Sequence, residues 1–223
     1  MPKFDFRTPP DSWFGKFGGT AATVAAVVSM ILTSSTSHGA QIVGPGARAR
    51  QDASTRHESA PLTDLSKDGH ELKAAFNADR GAAKILFIVS PTCPMCRSGA
   101  QLIEDRVLAQ LGGDKPKVYV VWTKKLFGDN RDAAANAESL VPDGRARHFW
   151  DPTGYLGKQY GKTLELPGGR RFAWDVYMIF DPKVAWTEAP PLPTFWMHQL
   201  GGQKPELRLD AARFREAVVQ RLK

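Results

Sequence analysis

The sequence predicts a small three-layer α/β domain, a central mixed sheet flanked by helices. Three observations predict it. The runs Lys84–Ser90, Lys117–Thr123 and Ala173–Phe180 are continuously apolar or nearly so, as strands covered on both faces must be. Between and after them lie stretches with apolar residues at helical spacing. Strand–helix–strand units of this length favour parallel pairing, and the later strands can then join antiparallel.

The elements follow in order. Leu62, Leu65, Leu72, Ala75 and Phe76 recur at mostly helical spacing, which predicts a helix over Leu62–Ala78. The strand Lys84–Ser90 runs into Pro91-Thr92-Cys93-Pro94-Met95-Cys96. A helix over Arg97–Leu111 follows, with Ile103, Val107, Leu108 and Leu111 on one stripe, ended by Gly112 and Gly113. After the strand Lys117–Thr123 come a short helix Ala133–Leu140, a short strand Arg147–Trp150 and a helical turn Pro152–Tyr160 ended by Gly161. The strand Ala173–Phe180 is closed by Asp181-Pro182, and the Pro- and Trp-rich residues 185–200 supply an edge strand. Asp210 caps a last helix, Ala211–Leu222, with Phe214, Val218, Val219 and Leu222 on one face.

This domain occupies residues 61–223 of the 223. Residues 1–40 have the three-part plan of an export signal: a weakly positive start, an apolar centre at Ala21–Leu32, then small polar residues. The segment is a cleaved signal peptide or an uncleaved membrane anchor, and either places the domain outside the cytoplasm, in the periplasm or an equivalent space. Residues 41–60 read as a flexible linker. The formal charge is +7, but the basic residues are scattered, and no groove-reading motif or aromatic–basic alternation is present, so nucleic acid is not an expected partner. A phosphate-binding glycine fingerprint, a hydrolase elbow and HExxH are all lacking, and no cofactor is expected.

The chemistry concentrates in the only two cysteines. Cys93 and Cys96 sit where a buried strand hands over to a helix. The first lies at the helix amino end, where unpaired N–H groups and the helix dipole favour a thiolate. The second is close enough to close a disulfide with it. Pro94 suits the first helical position, where its missing N–H is not needed. A loop this short gains little as a staple, which argues against a purely structural disulfide. A zinc knuckle needs four ligands, and there is no second cysteine pair.

KILFIVSPTCPMC and the helix after it resemble the active-site strand, loop and helix of thioredoxin-like proteins. FWDPTGYLGKQYGKTLELP and DVYMIFDPK are similar to the stretch of exported thioredoxin-like oxidoreductases that leads to the central strand. The resemblance covers residues 62–222 in layout. It implies thiol–disulfide exchange with Cys93 as the attacking thiol and Cys96 as the resolving one. It also implies a substrate groove at Pro94, Met95, Trp174 and Asp175. Partners would be protein thiols or disulfides and a redox-recycling protein. The family places a cis-proline where this chain has Asp175, and the nearest preceding proline is Pro167. That proline shapes the groove and keeps metals off the thiols, so its replacement opens a second reading, a soft-metal site for Cu(I) completed by a His or Met. A third is a redox-inactive adaptor docking through the aromatic segment Thr194–Leu200. Asp175 itself is a proton acceptor for Cys96 or, more simply, a hydrogen-bonded carboxylate holding a loop.

His148 and His198, in RHFW and FWMH, are candidate metal ligands or proton shuttles, or packed core residues. Met95 is expected at the surface as a soft contact. Arg97 is read as a solvated helix residue. The direction of electron flow, the substrate and the oligomeric state are not encoded in a readable pattern.

Overall fold

The computed structural model describes residues 61–113, 115–166, 171–201 and 204–223. The export segment, the linker and Pro167 lie outside the described residues. The strands are β1 (Thr63–Asp64), β2 (Lys84–Val89), β3 (Lys117–Thr123), β4 (Ala146–Asp151), β5 (Val176–Phe180) and β6 (Phe195–His198). The helices are α1 (His70–Ala78), α2 (Pro94–Arg106), α3 (Arg131–Ala137), α4 (Tyr155–Thr163) and α5 (Ala211–Leu222).

One six-stranded sheet runs in the order β1-β4-β3-β2-β5-β6. β1, β4, β3 and β2 pair in parallel, and β5 and β6 add antiparallel. Alternation along β2 splits the core. Ile85, Phe87 and Val89 face α2, α3 and α5, whereas Leu86 and Ile88 face α1 and α4. Three layers result, as the apolar runs predict.

Several boundaries differ from the sequence reading, each for a physical reason. The helix expected from Leu62 begins only at His70, because Thr63 and Asp64 pair with Phe149 and Trp150 at the sheet edge. A turn then follows in which the Glu71 carboxylate accepts from the Ser66 N–H and hydroxyl. Leu62 and Leu65 are both buried, but against opposite faces of the sheet, as an odd offset along a strand requires. α2 starts three residues before Arg97 and ends at Arg106, and Leu108–Gln110 form a separate 3-10 turn. The short helix begins at Arg131 with Asn130 as its cap, and its last turn, Glu138–Leu140, tightens to 3-10. α4 runs from Tyr155 to Thr163, past the turn expected at Pro152–Tyr160. β4 extends one residue beyond each end of Arg147–Trp150. The closing helix and its Asp210 cap stand as expected, with the Asp210 carboxylate accepting from the Arg213 N–H.

The change that matters most is at β5. The strand expected from Ala173 begins at Val176, because Asp175 has φ +55° and cannot be extended. The preceding segment is pressed onto α4 instead. Ala173 N–H donates to the Gly157 carbonyl at 2.7 Å, and the Phe172 ring occupies the space a side chain at Gly157 would fill.

Candidate functional site: a thiol pair between two buried carboxylates

β2 carries the chain to the carboxyl edge of the parallel strands, where Ser90–Thr92 turn it into α2. Cys93 is the N-cap residue, with extended backbone, and Pro94 takes the first helical position. The Arg97 N–H donates to the Cys93 carbonyl at 3.0 Å, closing the first turn. Both cysteines carry free thiols. Cys93 keeps 7% of its surface and Cys96 none, so the exposed surface of the pair belongs to Cys93. Pro94 and Met95 are exposed between them. Arg97 is not simply solvated: it is half-buried and donates to the Pro91 carbonyl at 3.2 Å.

On one side the loop is clamped by Asp129, from the connection between β3 and α3. Its Oδ1 accepts from the Ser90 hydroxyl at 2.8 Å, the Thr92 hydroxyl at 2.6 Å and the Thr92 N–H at 3.2 Å. Its Oδ2 accepts from the N–H groups of Lys125 and Leu126. Burial alone would raise its pKa. The hydrogen bonds from Thr92, Leu126, Lys125 and Ser90 outweigh it and hold Asp129 below the usual carboxylate value. Sequence reasoning missed Asp129; its only signal is an acid in a Gly-Asp-Asn turn.

On the other side stands Asp175, 3% exposed. The Tyr177 hydroxyl donates to its Oδ1 at 2.9 Å and lies 3.4 Å from both the Cys96 carbonyl oxygen and Gln199 Oε1. The Gln199 N–H donates to the Asp175 carbonyl at 3.1 Å. Gly99, on α2, admits this cluster: a Cβ there would clash with the Tyr177 hydroxyl and with Gln199 Oε1. Burial pushes the pKa of Asp175 up to about 6, against the lowering effect of Tyr177. Burial, with the Asp175 charge adding to it, pushes the Cys96 thiol far above its ordinary value. Tyr177 was read only as part of an apolar strand, although a hydroxyl within such a run is itself a signal, since it must find a partner.

Trp174 is half-buried against both halves of the core, and the Lys125 ammonium sits over it at 5.7 Å and over Phe172 at 5.0 Å. The same loop carries Phe127, fully exposed. The two histidines pack in the core. Trp122 Nε1–H donates to His148 Nδ1 at 3.2 Å, and His148 Nε2 lies 3.1 Å from the Val141 carbonyl, so both ring nitrogens are engaged. Burial lowers the His148 pKa to about 4. His198 Nδ1 accepts from the Leu200 N–H at 3.1 Å. Among the described residues, no three His, Cys, Asp or Glu side chains are grouped so as to hold a metal ion. The third ligand wanted for a copper site is therefore not His148.

A parallel sheet with an antiparallel extension, helices on both faces, and a Cys-X-X-Cys pair opening the helix after its central strand together make a thioredoxin-like α/β fold. No family model matches the chain, and no curated protein does. Among solved structures it is similar to a secreted Mycobacterium tuberculosis disulfide oxidoreductase homologous to E. coli DsbE. The identity is 12%, over 64% of this chain and 84% of that one, with a TM-score of 0.41. It is also similar to a thiol:disulfide interchange protein of the thioredoxin family from Chlorobium tepidum. There the identity is 14%, over 74% of this chain and 99% of that one, with a TM-score of 0.39. At such identities neither likeness bears on what this chain does.

Proposed function

We propose that this protein is an exported thiol–disulfide oxidoreductase that acts on protein thiols or disulfides through Cys93 and Cys96. The observation that carries the reading is the asymmetry of the pair. Cys93 lies at the N-cap of α2 and keeps a little exposed surface, and Cys96 lies in the first turn, fully buried. The thiolate of Cys93 is the form that attacks. In the reductive direction the Cys93 thiolate attacks a substrate disulfide and releases one substrate thiolate, leaving a mixed disulfide. Cys96 then attacks the Cys93 sulfur, and the second substrate thiolate leaves. The oxidised pair is returned by a recycling thiol or disulfide partner. Pro94, Met95, Trp174 and the exposed Phe127 supply the apolar surroundings for a polypeptide substrate. Export rests on the pattern of residues 1–40. Among the described residues no helix is long and apolar enough to cross a membrane.

A redox titration of the full chain in glutathione buffers tests the reading. It should show one reversible two-electron transition, lost in Cys93→Ser. A midpoint near about −270 mV marks a reductant and one near about −120 mV an oxidant. The absence of any reversible transition in that span would overturn the assignment.

A further inference from the structure

The connection from β3 to α3 lies against the cysteine motif and carries positive charge that the surrounding chain does not neutralise. Lys124, Lys125 and Phe127 are exposed on it. Asp129 clasps it to Thr92, the residue before Cys93, and a Cβ placed at Gly128 would touch the Thr92 methyl at 3.6 Å. Lys125 is held at both ends. Its N–H donates to Asp129 Oδ2 at 2.9 Å, and its ammonium lies over the Phe172 and Trp174 rings. Phe172 is itself wedged into the space beside Gly154 and Gly157. The Lys124 N–H donates to the Asp151 carbonyl at 3.0 Å, which fixes the start of the loop.

The neighbouring carboxylates are already engaged. Asp129 accepts five hydrogen bonds, and Asp64 pairs with Arg131. Asp151 accepts from Thr123, Thr153, Tyr155 and Leu156. Arg97, which follows Cys96, turns its guanidinium to the Pro91 carbonyl. Among the described residues, Lys124, Lys125 and Arg97 form no ion pair. Three cations therefore stand on the motif and on the loop clasped to it without a counter-charge. Three large apolar side chains are exposed among the described residues, Met95, Phe127 and Leu192, and the first two lie on these same segments.

Given exchange at Cys93 and Cys96, the reading on which this rests, we propose that the loop docks an acidic segment of a partner polypeptide, one with carboxylates beside its reacting cysteine. Lys124 and Lys125 meet the carboxylates, and Phe127 and Met95 meet apolar side chains of the same segment. The two rings hold the Lys125 ammonium in place before the partner arrives, so less side-chain freedom is lost on docking. Opposite charge speeds association and like charge slows it. The loop thus selects among cysteines by the residues that flank them.

The test uses the reduced full chain and peptide disulfides of one length, with glutamate, glutamine or lysine on both sides of the cysteine. The rate of mixed-disulfide formation on Cys93 is read by quenching and mass spectrometry. Each rate is divided by that of neutral dithiothreitol with the same peptide, which removes the peptide's own reactivity. At low salt the glutamate peptide should react about tenfold faster than the glutamine peptide, and the lysine peptide more slowly than either. Sodium chloride at about 0.5 M should bring the three rates together. The double variant Lys124→Gln/Lys125→Gln should lose most of the preference at low salt. Equal rates for the three peptides in the wild type, or a preference that high salt leaves intact, overturn the proposal and leave the exchange reading standing. A double variant that slows all three alike also overturns it, because the ammoniums would then act on the Cys93 thiolate and not on the partner. Failure of the wild type to form a mixed disulfide with any peptide removes both readings together.

Discussion

Asp129 and Asp175 flank the same four-residue motif with the same 3% exposure, and their electrostatics are opposite. Five donors converge on Asp129: two hydroxyls and three N–H groups. They replace the water it has lost, and its charge is comfortable. Asp175 receives the Tyr177 hydroxyl, and that hydrogen bond does not offset its burial. Equal surface exposure therefore does not set a carboxylate's behaviour; the depth at which the fold surrounds it and the groups aimed at it do. One acid is a clasp on the loop before Cys93. The other is a buried acid of raised pKa, held by the Tyr177 hydroxyl.

The largest expected effect breaks the clasp. Asp129→Ala strands donors from Ser90, Thr92, Lys125 and Leu126, and should cost about 3 kcal/mol in a urea melt. Asp129→Asn should recover part of that, since the amide oxygen still accepts. Equal stability of wild type and Asp129→Ala would show that water replaces the carboxylate freely.

The pH dependence sharpens the contrast, because the two acids have opposite signs. The folded pKa of Asp129 is depressed, so its stabilisation is present above the unfolded value near about 3.9 and is lost as pH falls through the folded one. The folded pKa of Asp175 is raised, so the fold binds its proton more tightly than the unfolded chain does. Its charge begins to destabilise the fold as pH passes the unfolded value, and the cost is complete above about pH 6. The stability of Asp175→Asn relative to wild type should therefore increase by about 2 kcal/mol between pH 4 and pH 7. A flat difference across that range would mean that Asp175 is not a buried carboxylate of raised pKa.

The smallest effect on stability, and the most selective on function, belongs to Phe127. Its ring is fully exposed, so Phe127→Ala should change stability by less than about 0.5 kcal/mol. The same variant should raise KM for a protein disulfide and leave exchange with glutathione disulfide unaltered. Equal KM values with the protein substrate would remove Phe127 from the docking surface.

Much of this was legible beforehand. Ile85–Val89 and Val118–Trp122 carry apolar or aromatic side chains at every position because both faces of the sheet are covered. α5 was readable to the residue, since its cap and its stripe are both local. The cysteine pair was readable for the same reason, its spacing and the helix after it lying within a few residues of each other. Leu62 and Leu65 were misread because a spacing of three fits a helix stripe as well as two faces of an edge strand, and only the partner β4 decides. Asp175 was seen as the residue in place of a proline, but nothing local indicates φ +55°.

Local chemistry therefore determined the strands, the amphipathic helices and the order of the two thiols along α2. Periodicity and helix-end chemistry act within a turn or a strand and leave their mark on adjacent residues. Tertiary structure decided which acid became a clasp and which kept a raised pKa. Ser90 and Asp129 are 39 residues apart, and Cys96 and Tyr177 are 81 apart. The pKa of a buried carboxylate is set by what the fold brings against it, and no pattern along the chain carries that information.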